Sequence, residues 1–180
     1  MDKPIDIEIR LRAVEPEDIE AIYRWENDHE VWQYSAAHTP FSRHQLTQYV
    51  MASLEQDIYS TKQLRLIGEV CGSDGYEAVG AVDLYDFDPY HRRAGVGILV
   101  DTAWRRRGVG RAMLKALKDY VKDNLDLHQL YCEVGCSNKA SLALFTAEGF
   151  EVCGTKKQWL HTPQGWEDAW VMQLILTERL

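Results

Sequence analysis

Apolar and charged residues alternate from Ile5 to Ala13, as I-D-I-E-I-R-L-R-A, which predicts a strand with Ile5, Ile7, Ile9 and Leu11 on one face. The period then lengthens. Pro16 suits the first turn of a helix running to about Asn27, with Glu15, Glu17 and Asp18 complementing its dipole. Ile19, Ile22, Tyr23 and Trp25 fall on its inward face. Asp28 to Ser42 has no period and holds Trp32, Tyr34 and Pro40, as a substrate loop would. Ser42 is placed to cap a second helix, Arg43 to about Gln56, with Leu46, Tyr49, Val50 and Leu54 in register.

Leu64 to Cys71 reads as a strand, Gly72-Ser73-Asp74-Gly75 as a hairpin turn, and Tyr76 to Phe87 as the returning strand. Gly80 inside that strand marks a bulge or a close approach of backbone. Arg92 to Asp101 is a further strand. From Gly108 the pattern is helical, with Val109, Met113, Ala116, Leu117, Tyr120 and Val121 facing a sheet. A strand from Leu127 to Cys136 follows, then a short helix, Asn138 to about Glu148, capped by Ser137 and ended by Gly149. Glu151 to Trp159 and Trp166 to Leu176 close the chain as two strands joined by Thr162-Pro163-Gln164-Gly165.

The order β-α-α-β-β-β-α-β-α-β-β predicts antiparallel pairing in the middle and parallel pairing in the later strand–helix–strand units. The expected fold is a mixed α/β (α+β) sandwich in one domain, residues 1–180, since no linker, repeat or low-complexity tract interrupts it.

Charge alters this picture in one place. The net charge is −8, yet His91 to Lys118 holds eight Lys/Arg against one Asp/Glu, while the first sixty residues hold twelve acids against five Lys/Arg. Such a surface repels nucleic acid and keeps one positive spot, suited to a small polyanion. No apolar run approaches the roughly 18 residues that cross a bilayer, and the N-terminus lacks an apolar signal region, so a cytoplasmic protein without membrane partners is expected. Cys71, Cys132, Cys136 and Cys153 form no CxxC pair and fit a reducing compartment. The six histidines are scattered, and no metal site is expected.

The positive spot centres on Val96 to Ala112, V-G-I-L-V-D-T-A-W-R-R-R-G-V-G-R-A. Arg105, Arg106, Arg107 and Arg111 crowd a helix N-terminus, where the dipole already disfavours cations. A bound anion resolves that conflict, because backbone N–H groups, dipole and arginines then share one partner. Gly108 and Gly110 let backbone approach it without Cβ clashes. The pattern R-x-x-G-x-G has neither Walker nor dinucleotide-fold spacing.

This stretch resembles the acetyl-CoA-binding segment of the GNAT N-acetyltransferase family, in which R/Q-x-x-G-x-G/A binds the pyrophosphate. A second block, L-Y-C-E-V-G-C-S-N-K-A-S-L-A-L-F-T-A-E-G-F at 130–150, resembles the next strand and helix of that family. Residues 79–98 are more loosely similar to the branch containing ribosomal-protein alanine and spermidine acetyltransferases. The resemblance implies a GNAT-like fold, a central mixed and mostly antiparallel sheet of about seven strands with about four flanking helices. It also implies an acetyl-CoA-dependent N-acetyltransferase that uses direct attack by a primary amine.

Carried onto this chain, the resemblance puts Ile98, Leu99 and Val100 on a splayed strand against the acetyl and pantetheine amides. The backbone N–H groups of Arg106, Arg107, Gly108, Val109, Gly110 and Arg111 would take the pyrophosphate, and Asn138 would touch the pantetheine arm. Asn138 could equally serve only to start its helix. Val100 N–H is a candidate oxyanion donor. Glu133 matches a general base in some relatives, and Glu26 and Glu30 are rivals for that role. The family's tyrosine acid is replaced by Phe145.

The acidic, aromatic first half suggests a cationic small molecule such as a polyamine, or a protein N-terminus, bound by Glu26, Glu30, Trp32 and Tyr34. A homodimer stays open. The alternative is a non-catalytic acyl-CoA-binding regulatory module, with Phe145 the mark of lost chemistry.

Overall fold

Strand β1 (Ile9–Ala13) keeps the alternation of the sequence, with Ile7, Ile9 and Leu11 packed on a hydrophobic core. The structure is a computed structural model that describes residues 7–29, 39–72 and 75–176. Ile5 lies outside the described residues. The expected first helix divides into a 3-10 turn, Pro16–Asp18, and α1 (Ile19–Glu26). The division follows from Asp18, which is buried: it accepts from Glu15 N at 2.8 Å and is gripped by Arg12 at 2.6 and 2.8 Å.

Helix α2 (Arg43–Glu55) starts at a capping box, Gln45 N donating to Ser42 Oγ and Ser42 N to Gln45 Oε1. Of its four expected core residues only Leu46 and Val50 are buried; Tyr49 and Leu54 are exposed, 40% and 46%. Leu46 and Val50 are the side chains that α2 turns onto α1 and the sheet, and Tyr49 and Leu54 fall on the cleft side of it. A short helix absent from the sequence reading, α3 (Ile58–Thr61), is capped by Asp57.

Strands β2 (Leu64–Gly72), β3 (Gly75–Asp88) and β4 (Arg93–Val100) form an antiparallel meander beside β1. Gly80 is a close approach: a Cβ there would lie 2.2 Å from Leu99 O. After a 3-10 turn (Thr102–Trp104), α4 (Val109–Asn124) buries Val109, Met113, Leu114, Leu117 and Val121 against one face of the sheet, with Ala116 and Tyr120 only half-buried.

Strand β5 (Gln129–Gly135) pairs parallel with β4. Helix α5 (Lys139–Ala147) follows, and Asn138, not Ser137, is its cap, accepting from Ser141 N at 3.0 Å. Gly149 ends it with φ +90°.

The last hairpin departs from expectation. β7 (Gly165–Ile175) inserts antiparallel between β5 and β6 (Glu151–Thr162), so the sheet order is β1-β2-β3-β4-β5-β7-β6 and only β4–β5 is parallel. The burial pattern explains the choice. β7 carries the buried Ala169 and Met172, whereas β6 is largely exposed and carries Lys156 and Lys157, as an edge strand should. The fold is thus a mixed α/β one with seven strands and five helices among the described residues.

Opposite α4, a second cluster joins Ile22, Trp25, Leu46 and Val50 of α1 and α2 to Ile67 and Ala81 of the sheet. Among the described residues it lies over the β2–β3 side and reaches Leu99 of β4, and a cleft runs beside it at the β4–β5 junction.

Candidate functional site

The parallel ladder between β4 and β5 has only three rungs, ending at Gly95↔Tyr131. Beyond it the strands diverge, and the backbone register shows what the gap receives. Arg92 O accepts from His128 N and Gln129 N, while Asp101 N donates to Val79 O of β3 at 2.8 Å. Even-numbered residues of β4 therefore face β5 and odd-numbered ones face β3. Val96 C=O, both backbone groups of Ile98 and the Val100 N–H aim into the cleft, while Val100 O accepts from Arg105 Nε at 3.2 Å and Leu99 spends its backbone on β3. Expected contacts from Ile98 and Val100 are geometrically available, and one from the Leu99 backbone is not. The cleft measures about 2890 Å³.

At one end lies the loop Asp101–Gly108. Asp101 is buried and anchors it, accepting from Trp25 Nε1 at 2.7 Å, Arg24 Nη2 at 2.9 Å and Ala103 N at 2.9 Å. Burial works against its charge, but these donors outweigh it and hold the carboxyl below its usual pKa. Arg106 turns the chain with φ +61°, and Gly108 with φ +85° opens α4 without a side-chain cap. The first N–H groups of the helix thus face the cleft uncapped. Gly110 packs tightly, its missing Cβ 3.2 Å from Leu144 Cδ2 and 3.5 Å from Val100 Cγ2.

The arginine cluster is more divided than its sequence implies. Arg105 donates to Val100 O at 3.2 Å and pairs with Asp28 at 3.1 Å. Arg107 lies 5.1 Å over the Trp104 ring and does not line the cleft. Arg111 pairs with Glu148 at 2.7 Å, as Lys118 does at 2.6 Å. Arg106 and Arg111 line the cleft beside Gly108, Val109, Gly110 and Asn138. Cations disfavoured by the dipole have turned to acids, a carbonyl and a ring, so only part of the local charge points at a ligand.

At the other end, on the α1–α2 face, Arg65 holds Glu26 at 2.6 Å and Asp83 at 2.6 Å, with the Tyr49 ring 5.7 Å away. Across the gap Glu133 shares a face with Tyr131 and accepts from Lys156 Nζ. Glycines form the floor: a Cβ on Gly95 would strike the Tyr85 ring at 2.1 Å. Burial, then the neighbouring Tyr131, keeps the Tyr85 phenol protonated well above its usual pKa. Burial and then Asp86 push Tyr131 up to about 12. Phe145 is buried, edge-on to Phe150 at 5.0 Å. Trp159, Leu160 and Trp166 of the β6–β7 hairpin complete the wall.

Glu26 and Glu133 therefore line one cleft from opposite sides, each already ion-paired. Glu30, Trp32 and Tyr34 lie outside the described residues. The sequence reading overlooked Arg65, Asp83, Tyr85 and Trp159. Arg65 and Asp83 had a signal, being lone charges inside apolar strands, but only strand register makes them neighbours. No group of three His, Cys, Asp or Glu among the described residues could hold a metal, and no described helix is long and apolar enough to cross a membrane.

A family model described as an Acetyltransferase (GNAT) domain matches residues 8–151. Spermidine N(1)-acetyltransferase of Escherichia coli K12 is 25% identical over 148 residues, covering 81% of this chain and 74% of that protein. The [ribosomal protein bS18]-alanine N-acetyltransferase of Salmonella typhimurium is 38% identical over 80 residues, 44% of this chain and 53% of that protein. Among solved structures, spermidine N-acetyltransferase from Vibrio cholerae in complex with CoA and spermine superimposes with a TM-score of 0.83 at 21% identity, covering 94% and 96% of the two chains.

Proposed function

The chain belongs to the GNAT acetyltransferase family, and from that premise we propose how its cleft divides the work between donor and acceptor. It is an N-acetyltransferase that uses acetyl-CoA. The observation that carries the assignment of ends is the coincidence of two backbone sets on one cleft: β4 groups beyond the last rung with β5, and the start of α4, which has no side-chain cap. Amides of a pantetheine arm match the first, which alternate donors and acceptors, and a pyrophosphate matches the second. The residues present fit acetyl-CoA.

In this reading Ile98 and Val100 hold the arm by backbone hydrogen bonds. The N–H groups from Arg106 to Arg111 hold the pyrophosphate, with the Arg106 side chain beside it. Asn138 fixes the start of α5 along the same wall. When bound, acetyl-CoA supplies an activated thioester carbonyl. Val100 N–H donates to the charge that develops on the acyl oxygen. The amine approaches from the α1–α2 face over Gly97. Glu133 takes its proton, directly or through one water, with Lys156 holding the carboxylate in place. Glu26 sits farther back behind Arg65 and positions the acceptor. Phe145 requires no replacement acid, because a thiol of pKa about 8.5 departs unassisted.

Thiol release measured against acetyl-CoA and a primary amine tests these roles. Glu133→Gln should lower kcat by about 100-fold or more and leave the KM for acetyl-CoA in place. A variant with wild-type kcat across pH 6–9 removes Glu133 from the base role.

A further inference from the structure

The acceptor half of the cleft has an unexpected balance for an acidic protein. Five carboxylates line the cleft among the described residues, and all five are engaged within the protein. Glu26 and Asp83 are held by Arg65, and Glu133 by Lys156. Glu167 accepts from Ser137 N at 2.5 Å and Ser137 Oγ at 3.0 Å; Asp57 caps α3 through Ser60 N at 2.8 Å. A polycation entering here would have to displace protein cations already in contact with these acids.

The cleft also presents exposed apolar side chains. Tyr49, Leu54, Trp159, Leu160 and Trp166 line it while remaining 37–65% exposed. The presentation of Trp159 is built in. The β6–β7 register shifts between Lys156 and Leu160, where Gln158 takes φ +47°. Asp168 clamps this bulge, accepting from Gln158 N at 2.8 Å and Lys157 Nζ at 2.7 Å. A bulge re-aims the side chain beside it, here the indole into the cleft opposite α2. One face of that indole already carries a cation, Lys156 Nζ at 4.1 Å from the ring centroid.

We propose that the acceptor is a primary amine carried on an uncharged, apolar body, gripped between Trp159 on the β6 bulge and Tyr49 on α2. This rests on the acetyltransferase reading above and narrows it away from polyamines. Two sources share the chemistry: a small arylalkylamine, and a polypeptide N-terminus with an apolar first residue.

The test is steady-state thiol release with acetyl-CoA and four acceptors: phenethylamine, an amidated tripeptide beginning with leucine, the same peptide beginning with lysine, and spermidine. The expected result is a kcat/KM at least about tenfold higher for phenethylamine or the leucyl peptide than for spermidine. Which of those two leads identifies the source. Trp159→Ala should raise the KM for the preferred amine about tenfold, leave the KM for acetyl-CoA in place, and be rescued by Trp159→Phe. Preference for spermidine or the lysyl peptide overturns the proposal while leaving the enzyme assignment intact, as does an unchanged KM in Trp159→Ala. Calorimetric binding of acetyl-CoA without turnover of any amine overturns the amine acetyltransferase reading, and the proposal with it.

Discussion

Replacing Gly108 by aspartate separates the anion role of the α4 start from its structural role. With φ at +85°, a side chain here costs about 1–2 kcal/mol, towards the lower end for aspartate. Nothing lies within 4 Å of the new Cβ, so no packing strain adds to that. A carboxylate at a helix N-terminus recovers about 0.3–1 kcal/mol. The net loss of stability should be about 0.5 kcal/mol, a fall in Tm of about 1–2 °C. The effect on CoA is larger. Like charges about 4 Å apart repel by about 1 kcal/mol in water and about 4 kcal/mol near a protein surface. An intermediate value of about 2 kcal/mol weakens Kd about 30-fold. Calorimetry with CoA should show that loss, and raising the salt to about 0.5 M should shrink it. Gly108→Ala shares the backbone cost and should lose far less affinity. A folded Gly108→Asp protein that binds CoA within about twofold of wild type would refute the phosphate placement.

Three further expectations follow from the same geometry. Gly95→Ala drives a Cβ into the Tyr85 ring, so it should cost about 1–3 kcal/mol by denaturant unfolding and raise the acceptor KM; combined with Tyr85→Ala it should cost less than the sum of the two single losses, and additive losses would contradict the contact. Asp101, Glu69 and Glu148 sit below their ordinary pKa because their donors outweigh the opposing effect of burial. A depressed folded pKa stabilises above the unfolded value of about 4 and loses that contribution as pH falls through the folded value. Tm should therefore hold from pH 7 to about 5 and fall below about 4, less steeply in Glu148→Gln; an acid-insensitive Tm would count against these networks. Burial, then Cys153 and Glu133, pushes Cys132 up to about 12, so native alkylation read by mass spectrometry should modify the exposed Cys71 and Cys153 and spare Cys132.

Much of the site could be read from residues in order. The turn glycines and arginines, the β4 run and the Ser42 cap are local signals, each decided within a few residues. The failures were equally physical. Tyr49 and Leu54 have helical spacing suited to a core, but periodicity gives only a direction, and α2 turns that direction towards an open cleft. Arg105, Arg107 and Arg111 are near in sequence, whereas Asp28, the Trp104 ring and Glu148 divide them. Asn138 took the cap that Ser137 was expected to supply, while Ser137 bonds to Glu167.

The sequence by itself determined the GNAT family and the element order apart from the short α3, and it is enough to propose the donor end, because the backbone proposed to meet phosphate and amides is contiguous at a strand–loop–helix join. Only the tertiary structure brings together the side chains proposed for the acceptor end. Arg65 meets Glu26 and Asp83, and Lys156 meets Glu133, through pairings between residues 18 to 39 positions apart, and Trp159 of the β6 bulge lines the same cleft as Tyr49. Charge counted along the chain suggests a pocket for cations; within the cleft the five lining acids are each engaged by a protein partner, and composition cannot assign those partners.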